Sequence, residues 1–266
     1  MGDPDNATFR NKAVLVTGAA GSIGRGIAHR FCELGASVFI TDLHQDRLAE
    51  VAGELSSLGR PCGFLAGDVT DAAAVDRVVE ATAGATGGRI DVLVNVAGMV
   101  AQARVEAIAP DEWDRIFAVN CKGTFLFIRR VVPMMRKHHG GSIINFSSKS
   151  GKTGSALMSH YSAAKAAIIG LTQALAFELA DDHIRVNCVC PGITQNTGVW
   201  DKVSEGYVKN LKMPMEQVVS QFTAKVPLKR LARVEDVVAV TVFLASDGAD
   251  YMTGQAINIT GGREMH

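Results

Sequence analysis

The sequence of 266 residues lacks the features that mark nucleic-acid-binding and membrane proteins. Lysine and arginine together number 27, and so do aspartate and glutamate, which leaves a formal net charge of zero. There is no concentrated basic stripe, so we expect no nucleic-acid partner. No apolar run reaches the roughly 18 residues of a membrane-spanning helix, so we expect no membrane association.

Cysteine is also scarce, with five residues scattered along the chain. Cys188 and Cys190 lie two residues apart on a predicted strand and lack the CxxC spacing of zinc and redox motifs. Reduced thiols are typical of cytosolic proteins. The N-terminal tail, residues 1–10, is polar and has no apolar segment long enough for a signal peptide. These features predict a cytoplasmic protein without a metal site.

What the sequence does contain is a regular alternation of short apolar runs and longer segments with helical period. The predicted strands are residues 13–18, 37–42, 63–68, 91–98, 142–148, 185–192 and 255–262. The predicted helices are residues 22–35, 45–58, 71–86, 111–137, 159–181 and 234–245. Most of the strands lack polar alternation, as parallel strands covered on both faces do. We therefore predict a single α/β domain built on a doubly wound, Rossmann-type parallel sheet of about seven strands.

Residues 193–233 form an unusually long insertion between two strand-helix units. Long segments of this kind in a compact domain are usually functional or disordered. The insertion carries large side chains that favour docking over another surface, namely Trp200, Tyr207, Met213 and Met215. We predict a substrate lid with one or two short helices.

A glycine-rich turn follows the first strand in the stretch TGAAGSIGRGIAHR. Gly18 and Gly24 flank this turn, and the next helix is expected to start near Ser22. Small residues let the backbone approach a pyrophosphate, and the helix N-terminus supplies N–H groups for it. The spacing is GxxxSxG and not GxGxxG, so a tight turn without a ligand is the alternative.

The second predicted strand ends at Asp42, eighteen residues after Gly24. A carboxylate at this position can accept hydrogen bonds from the hydroxyls of an adenosine ribose. It would repel a 2′-phosphate, and residues 19–22 contain no arginine to offset that repulsion. The sequence therefore predicts NAD as the cofactor. The alternative is that Asp42 caps the following helix.

Two further strand ends belong to the same predicted edge of the sheet. Asp68 and Val69 are placed to meet the adenine amino group, and Asn95, Ala97 and Gly98 lie beside the adenosine. The alternatives are a capping role for Asp68 and a turn-stabilising role for the amide of Asn95. Either role can coexist with a cofactor contact.

Tyr161 and Lys165 are four residues apart on a predicted helix, so their side chains share one face. A free phenol has a pKa of about 10, and a nearby ammonium favours the phenolate and can lower that pKa. Ser148, at a strand end, can donate a hydrogen bond to an alcohol or carbonyl oxygen. This arrangement predicts hydride transfer coupled to proton transfer at a secondary alcohol or ketone. Taken alone, a Tyr-x-x-x-Lys pair is more typical of a surface contact.

Asn120 closes the stretch DEWDRIFAVN in the long predicted helix 111–137. Its side chain could anchor a water molecule that links Lys165 to solvent. The alternative is a role as a helix C-cap.

With these residues in place, residues 10–262 resemble the short-chain dehydrogenase/reductase family. The motifs that carry the resemblance are TGAAGSIG, Asp42, GDV, NVAG, the VN pair at 119–120, INFSS, YSAAK, VNCVCPG and TGQAINITGG. The resemblance implies a catalytic tetrad made of Asn120, Ser148, Tyr161 and Lys165. In the family the tyrosine is the general acid/base, the lysine binds ribose and lowers the tyrosine pKa, the serine polarises the substrate oxygen, and the asparagine holds a relay water.

The resemblance adds further cofactor contacts to those expected from the glycine-rich turn and the strand ends. Together they are Gly18, Ser22, Ile23, Gly24, Asp42, Asp68, Val69, Asn95, Ala97, Gly98, Tyr161, Lys165, Pro191, Ile193 and Thr194. The chain departs from the family pattern at three positions. Ser22 replaces the usual middle glycine, Val96 replaces the second asparagine of NNAG, and Asn196 stands where threonine is frequent. The last departure leaves the contact with the nicotinamide carboxamide open.

Within the family, SSKSGKTGS and TGQAINITGG are most similar to the sugar-alcohol dehydrogenases, and the Lys-Ser-Gly-Lys part is similar to the sorbitol-6-phosphate 2-dehydrogenase type. The leading hypothesis is an NAD-dependent dehydrogenase that interconverts a polyol and a ketose. The predicted substrate contacts are Ser148, Lys149, Tyr161 and Asn196. Polar side chains around this opening suit a hydroxyl-rich substrate, namely Gln102, Lys149, Ser150, Lys152, His160 and Asn196. A phosphorylated substrate fits if Lys149 or Lys152 faces the site, and the alternative is that both face solvent.

Two other functions stay open. The apolar lid residues Trp200, Met213 and Met215 suit a 3-oxoacyl or steroid-type ketone reductase, although Asp42 disfavours the NADPH that biosynthetic reductases usually use. A non-catalytic NAD-sensing protein would be expected to have a broken tetrad, and this tetrad is intact.

The family resemblance also implies a homo-oligomer, commonly a tetramer. The expected interface comprises the predicted helix 159–181 and the C-terminal GGREMH. Small residues on that helix would permit close packing, namely Ala163, Ala166, Ala167 and Gly170.

Overall fold

A computed structural model describes residues 9–59, 62–211 and 214–265. Seven parallel strands form one sheet in this part of the chain, in the order β3-β2-β1-β4-β5-β6-β7. The strands are β1 (Ala13–Thr17), β2 (Ser37–Thr41), β3 (Cys62–Phe64), β4 (Val92–Asn95), β5 (Gly141–Phe146), β6 (Ile184–Pro191) and β7 (Ala256–Ile259). The predicted doubly wound parallel sheet is confirmed. Strand order reverses between β1 and β4, which is where such sheets bind ligands.

The helices connect successive strands and cover both faces of the sheet. They are α1 (Ser22–Glu33), α2 (Gln45–Ser56), α3 (Ala72–Ala85), α4 (Pro110–Phe117), α5 (Gly123–Lys137), α6 (Lys149–Thr153), α7 (Ser159–Glu178), α8 (Gly198–Leu211), α9 (Met215–Ala224) and α10 (Val234–Ala245). No described helix is long and apolar enough to cross a membrane.

The core packs against both faces of the sheet, which explains why the strand sequences are unbroken apolar runs. On β1, Val14 and Val16 pack into the cluster that contains Phe31 of α1. Leu15 points to the opposite face and packs into the cluster that contains Val131 of α5. Because successive side chains alternate between two buried faces, a central strand needs apolar residues at every position.

Three local features differ from the predictions. The edge strand β3 ends at Phe64, and beyond it only isolated backbone bonds reach the β2 segment, such as Gly67 N to Asp42 O at 3.0 Å. The helix predicted over 111–137 is two helices joined by a π-helical turn, Ala118–Lys122. The short helix α6 was not predicted, and the hydroxyl of Ser148 caps it by accepting a hydrogen bond from Ser150 N.

All five cysteines lie within the described residues, and no disulfide joins any two of them. The insertion 193–233 contains α8 and α9. The N-terminal residues 1–8, Met213 and His266 lie outside the described residues.

Candidate active site

A cavity of about 990 Å³ opens at the carboxyl ends of the strands. Its walls include the segments that follow β1 to β5, the end of β6 and the residues after β7. The π-helical turn, α7, α8 and α9 also contribute side chains. All of the predicted cofactor contacts except Asn95 line it, and so do Asn120, Ser148 and Lys149. The structure therefore brings nearly every predicted site residue to one place.

The turn after β1 forms a cradle that requires glycine. Gly18 has a φ of +66°, and a Cβ atom there would lie 2.7 Å from the backbone nitrogen of Ala97. A Cβ at Gly24 would clash with the carbonyl oxygen of Gly18. Helix α1 begins at Ser22, and its N-cap Gly21 supplies no side chain to bind the first N–H groups. This uncovered helix start fits the pyrophosphate of a dinucleotide.

Asp42 lies at the rim of the same cavity. Its Oδ2 accepts a hydrogen bond from Ala20 N at 3.1 Å, and its Oδ1 accepts one from Leu43 N at 2.8 Å. These bonds tie the carboxylate to the glycine-rich turn. The alternative role as a cap of α2 is wrong, because the N-cap of that helix is His44.

Asp68 and Asn95 have different local roles. Oδ1 of Asp68 accepts hydrogen bonds from the backbone nitrogen and the hydroxyl of Thr70, both at 2.8 Å. Asp68 does not cap α3, because Asp71 does. Asn95 is buried beneath the cavity, where its Nδ2 donates to Asn145 Oδ1 at 2.9 Å. Its amide therefore braces β4 against β5 and does not face the cavity.

Ser148, Tyr161 and Lys165 meet at the middle of the cavity, and all three are buried. Lys165 Nζ lies 5.8 Å from the centroid of the Tyr161 ring and donates to the carbonyl oxygen of Phe146 at 2.8 Å. Ser148 contacts the tyrosine hydroxyl. Ser148 Oγ accepts from Ser150 N at 3.1 Å, so its own proton can be donated to the Tyr161 hydroxyl or to a substrate oxygen.

The pKa of Tyr161 is raised, whereas the sequence predicted that the ammonium of Lys165 would lower it. Burial raises the pKa of Tyr161 to about 12, and the contact with Ser148 acts in the opposite direction. Burial also lowers the pKa of Lys165 to about 8, although Cys121, Cys188 and Cys190 oppose that change. Desolvation is the largest influence on both groups, so this structure favours a neutral phenol.

Asn120 lies inside the π-helical turn, so the alternative role as a helix C-cap is wrong. Its Nδ2 donates to Met99 O and to Ile116 O, each at 2.9 Å. Its Oδ1 is buried and has no hydrogen-bond partner among the described residues. Single π-helical turns inside α-helices are frequent at functional sites. Here the turn aims an unused acceptor at the cavity.

The substrate end of the cavity agrees only partly with the predictions. Lys149 lines it, and Asn196 does not: Asn196 is exposed with a φ of +58°, and its neighbour Thr197 lines the cavity instead. Lys152 is directed elsewhere, because its Nζ donates to Ala256 O at 2.7 Å. A left-handed backbone at Asn196, which the sequence did not reveal, turns its side chain away.

The other polar residues predicted to surround the substrate lie in different parts of the structure. Ser150 lines the cavity, and neither Gln102 nor His160 does. The imidazole of His160 is buried, with Nε2 3.1 Å from a carboxylate oxygen of Glu112.

The insertion contributes side chains from α8 and α9. Trp200, Val203, Phe222 and Lys225 line the cavity, and Met215 is exposed and outside it. The side chain of Tyr207 and the whole of Met213 lie outside the described residues. Arg263, close to the C-terminus, also lines the cavity. No sequence pattern pointed to Lys225, Phe222 or Arg263.

Fold and site together define the class of protein. A family model described as Enoyl-(Acyl carrier protein) reductase matches residues 18–264 and is a model of the short-chain dehydrogenase/reductase family. The chain belongs to the short-chain dehydrogenase/reductase family. It is an oxidoreductase of the kind that acts on CH–OH groups.

Particular relatives extend this result. The sorbitol dehydrogenase of Cereibacter sphaeroides is 36% identical over 255 residues, which cover 96% of this chain and 98% of that protein. The structure of NAD⁺-bound xylitol dehydrogenase has a TM-score of 0.91 at 31% identity and covers 96% of this chain and 99% of that chain. The structure of a single-residue variant of actinorhodin polyketide ketoreductase with NADPH has a TM-score of 0.92 at 32% identity. The match covers 96% of this chain and 98% of that chain. These structural neighbours bind nicotinamide cofactors of both kinds.

Proposed function

We propose that this protein is an NAD-dependent oxidoreductase that interconverts a polyol and the corresponding ketose. The observation that carries the proposal is the convergence of Ser148, Tyr161 and Lys165 on a cavity whose other end carries the carboxylate of Asp42. The similarity to the sorbitol and xylitol dehydrogenases supports the polyol part.

The residues around the cavity fit the two ends of a dinucleotide. The glycine cradle and the start of α1 hold the pyrophosphate, and Asp42 accepts hydrogen bonds from the adenosine ribose. Residues 191–194, which line the cavity, would hold the nicotinamide. Bound NAD⁺ supplies the hydride acceptor and a positive charge close to the phenol.

The chain itself handles the proton. Tyr161, as the phenolate, would accept the O–H proton of the alcohol as the alcohol is oxidised to the ketone. Ser148 donates a hydrogen bond to the same substrate oxygen, which holds it against the phenol. Lys165 binds the nicotinamide ribose, and its charge favours the phenolate when the cofactor is in place. Asn120 Oδ1 holds a water molecule that returns the proton to solvent.

A substrate panel tests this proposal. The purified protein is assayed for reduction of NAD⁺ and NADP⁺ with alditols of four to six carbons, with their phosphate esters and with 3-hydroxyacyl thioesters. We expect turnover with an alditol or its ester and a preference for NAD⁺. Activity with acyl thioesters alone would overturn the polyol assignment.

A second candidate, a ketone reductase for apolar substrates, is favoured by one observation. Tyr161 packs in a small cluster with Val100, Met158 and Val203, so one wall beside the phenol is apolar. That wall suits an acyl chain or a ring system better than a row of hydroxyls. Reduction of a bulky cyclic ketone with NADH or NADPH, with no alditol oxidation, would establish this candidate in place of the first.

We propose that the insertion 193–233 acts as a substrate lid. We also propose that the protein forms a homotetramer in which α7 lies at an interface. Phe177 of α7 is 90% exposed, and Trp113 and Phe125 on neighbouring helices are exposed as well. Ala166, Ala167 and Gly170 leave part of the α7 surface without bulk. Light scattering coupled to size-exclusion chromatography measures the assembly. A monomer that retains full activity would contradict the tetramer.

A further inference from the structure

The walls of the cavity differ in charge at its two ends. Among the described lining residues the carboxylates are Asp42 and Asp68, both at the end proposed for adenosine, where Arg47 is also found. Three mutually interacting cationic side chains, those of Lys149, Lys225 and Arg263, line the part of the cavity beside Ser148. Arg115, Lys165 and Lys202 also line the cavity. Such separation of charge inside one cleft attracts an anion to the cationic end.

Two of these cations are built into the wall by a shared carboxylate. Lys149 Nζ lies 3.9 Å from Glu264 Oε1, and Arg263 Nε lies 3.2 Å from the same oxygen. The side chains of Lys149 and Glu264 are 15% and 9% exposed. Glu264 Oε2 is buried and has no hydrogen-bond partner among the described residues. The guanidinium of Arg263 also lies over the ring of Phe222, 5.5 Å from its centroid.

One carboxylate does not balance these cations. Burial lowers the pKa of Lys149, the charges of Arg263 and Lys225 act in the same direction, and Glu264 opposes them. An anion bound here would relieve repulsion among three cations. Arg230, which lies nearby, is already held by two hydrogen bonds to Asp236, at 2.5 and 2.8 Å.

We infer that the substrate carries an anionic group, a carboxylate or a phosphate monoester, which Lys149 and Arg263 bind at this end of the cavity. Lys149 directly follows Ser148 in the chain, so their Cα atoms are about 3.8 Å apart. Arginine is suited to this role because its N–H groups match two oxygens of such an anion. The inference rests on the proposed alcohol oxidation and narrows its substrate class.

The test compares three matched probes: a hexitol, its 6-phosphate and the corresponding hexonate. Each is assayed with NAD⁺ and the wild-type protein, with Lys149→Met, with Arg263→Gln, and with a control, Lys137→Met. Lys137 is exposed at the end of α5, at the opposite edge of the sheet. The readout is the ratio of kcat/KM for each anionic probe to kcat/KM for the hexitol.

We expect this ratio to fall roughly 10- to 100-fold in Lys149→Met and Arg263→Gln and to stay constant in Lys137→Met. The anionic probe with the higher kcat/KM in the wild-type protein shows whether the substrate's anionic group is a phosphate or a carboxylate. Equal kcat/KM for neutral and anionic probes would overturn the inference and leave the polyol function standing.

If no probe is turned over, a binding measurement distinguishes failure of the proposed polyol oxidation from failure of the proposed anion subsite. Calorimetric titration of the protein–NAD⁺ complex with the hexitol phosphate and the hexonate measures affinity without chemistry. Binding that Arg263→Gln abolishes would support the anion subsite while the polyol function fails. Absence of binding by both anionic probes would refute the subsite.

Discussion

The side-chain oxygen of Asn120 and the ammonium of Lys165 both lie next to Gly98. A Cβ atom at Gly98 would lie 2.8 Å from Asn120 Oδ1 and 3.4 Å from Lys165 Nζ. The π-helical turn supplies the first group and α7 supplies the second. Both groups can approach only because the residue between them has no side chain.

This relationship predicts that Gly98→Ala damages catalysis more than folding. The added methyl must displace the Asn120 amide or the Lys165 ammonium, and a shift of about 1 Å at a catalytic group can cost on the order of 10²-fold in rate. We expect kcat to fall roughly 10- to 100-fold, measured by steady-state kinetics beside a thermal melt.

Gly53→Ala is the matched control for that substitution. Gly53 lies in α2, and a Cβ atom there would have no neighbour within 4 Å. The control should retain wild-type kcat and gain a little stability. A wild-type kcat in Gly98→Ala would show that the placement of Asn120 and Lys165 next to residue 98 is unimportant for catalysis.

The role of the phenol is tested by Tyr161→Phe. Removal of the hydroxyl leaves the ring and its packing but takes away the acid/base group. We expect kcat to fall by about 10²- to 10⁴-fold, while the dissociation constant for the nicotinamide cofactor, measured by fluorescence titration, stays close to wild type. Turnover at the wild-type rate would refute the assigned role.

The parts of this structure that could be predicted are those set by local spacing. Tyr161 and Lys165 share a helix face because four residues make about one turn. The strands were found because both faces of the sheet are covered, so residues such as Val14 and Leu15 must all be apolar. The glycine cradle was found because a strand, a turn and a helix follow one another directly.

The parts that could not be predicted depend on contacts between distant segments. Helical periodicity runs through residues 118–122, so nothing in the pattern showed the π-helical turn that aims Asn120 Oδ1 at the cavity. Arg263 and Lys149 share the carboxylate of Glu264 only because the segment after β7 returns to the start of α6. The direction of the Tyr161 pKa depends on burial, which no spacing reveals.

Cofactor preference should respond to the charge of Asp42. Asp42→Asn keeps an oxygen that can accept from Ala20 N but removes the charge that would repel a 2′-phosphate. We expect the ratio of kcat/KM for NADP⁺ to that for NAD⁺ to rise roughly 10- to 100-fold. Asp46→Asn is the control, because Asp46 is an exposed carboxylate in the first turn of α2 and lies outside the cavity lining. An unchanged ratio in Asp42→Asn would contradict the NAD proposal.

Burial of Lys165 should leave a signature in the pH dependence of stability. Its pKa is about 8 in the folded protein against 10.5 as the ordinary value, so between these values the unfolded chain binds more protons than the folded one. Stability due to this group therefore rises with pH across that window, by up to about 1.4 kcal/mol per pH unit, and the gain is complete only above 10.5. Lys165→Met removes the titrating group and keeps an unbranched side chain.

The free energy of unfolding in urea, measured for both proteins at several pH values from about 8 to 9.5, checks this prediction. The wild type should gain on the order of 1 kcal/mol relative to Lys165→Met for each pH unit. Tyr161, with its pKa raised to about 12 in the folded protein, is present in both proteins, so the comparison with Lys165→Met isolates the titration of Lys165. Parallel curves for the two proteins would mean that Lys165 keeps its ordinary pKa on folding. In that case its charge would be available to the Tyr161 phenol even without a cofactor.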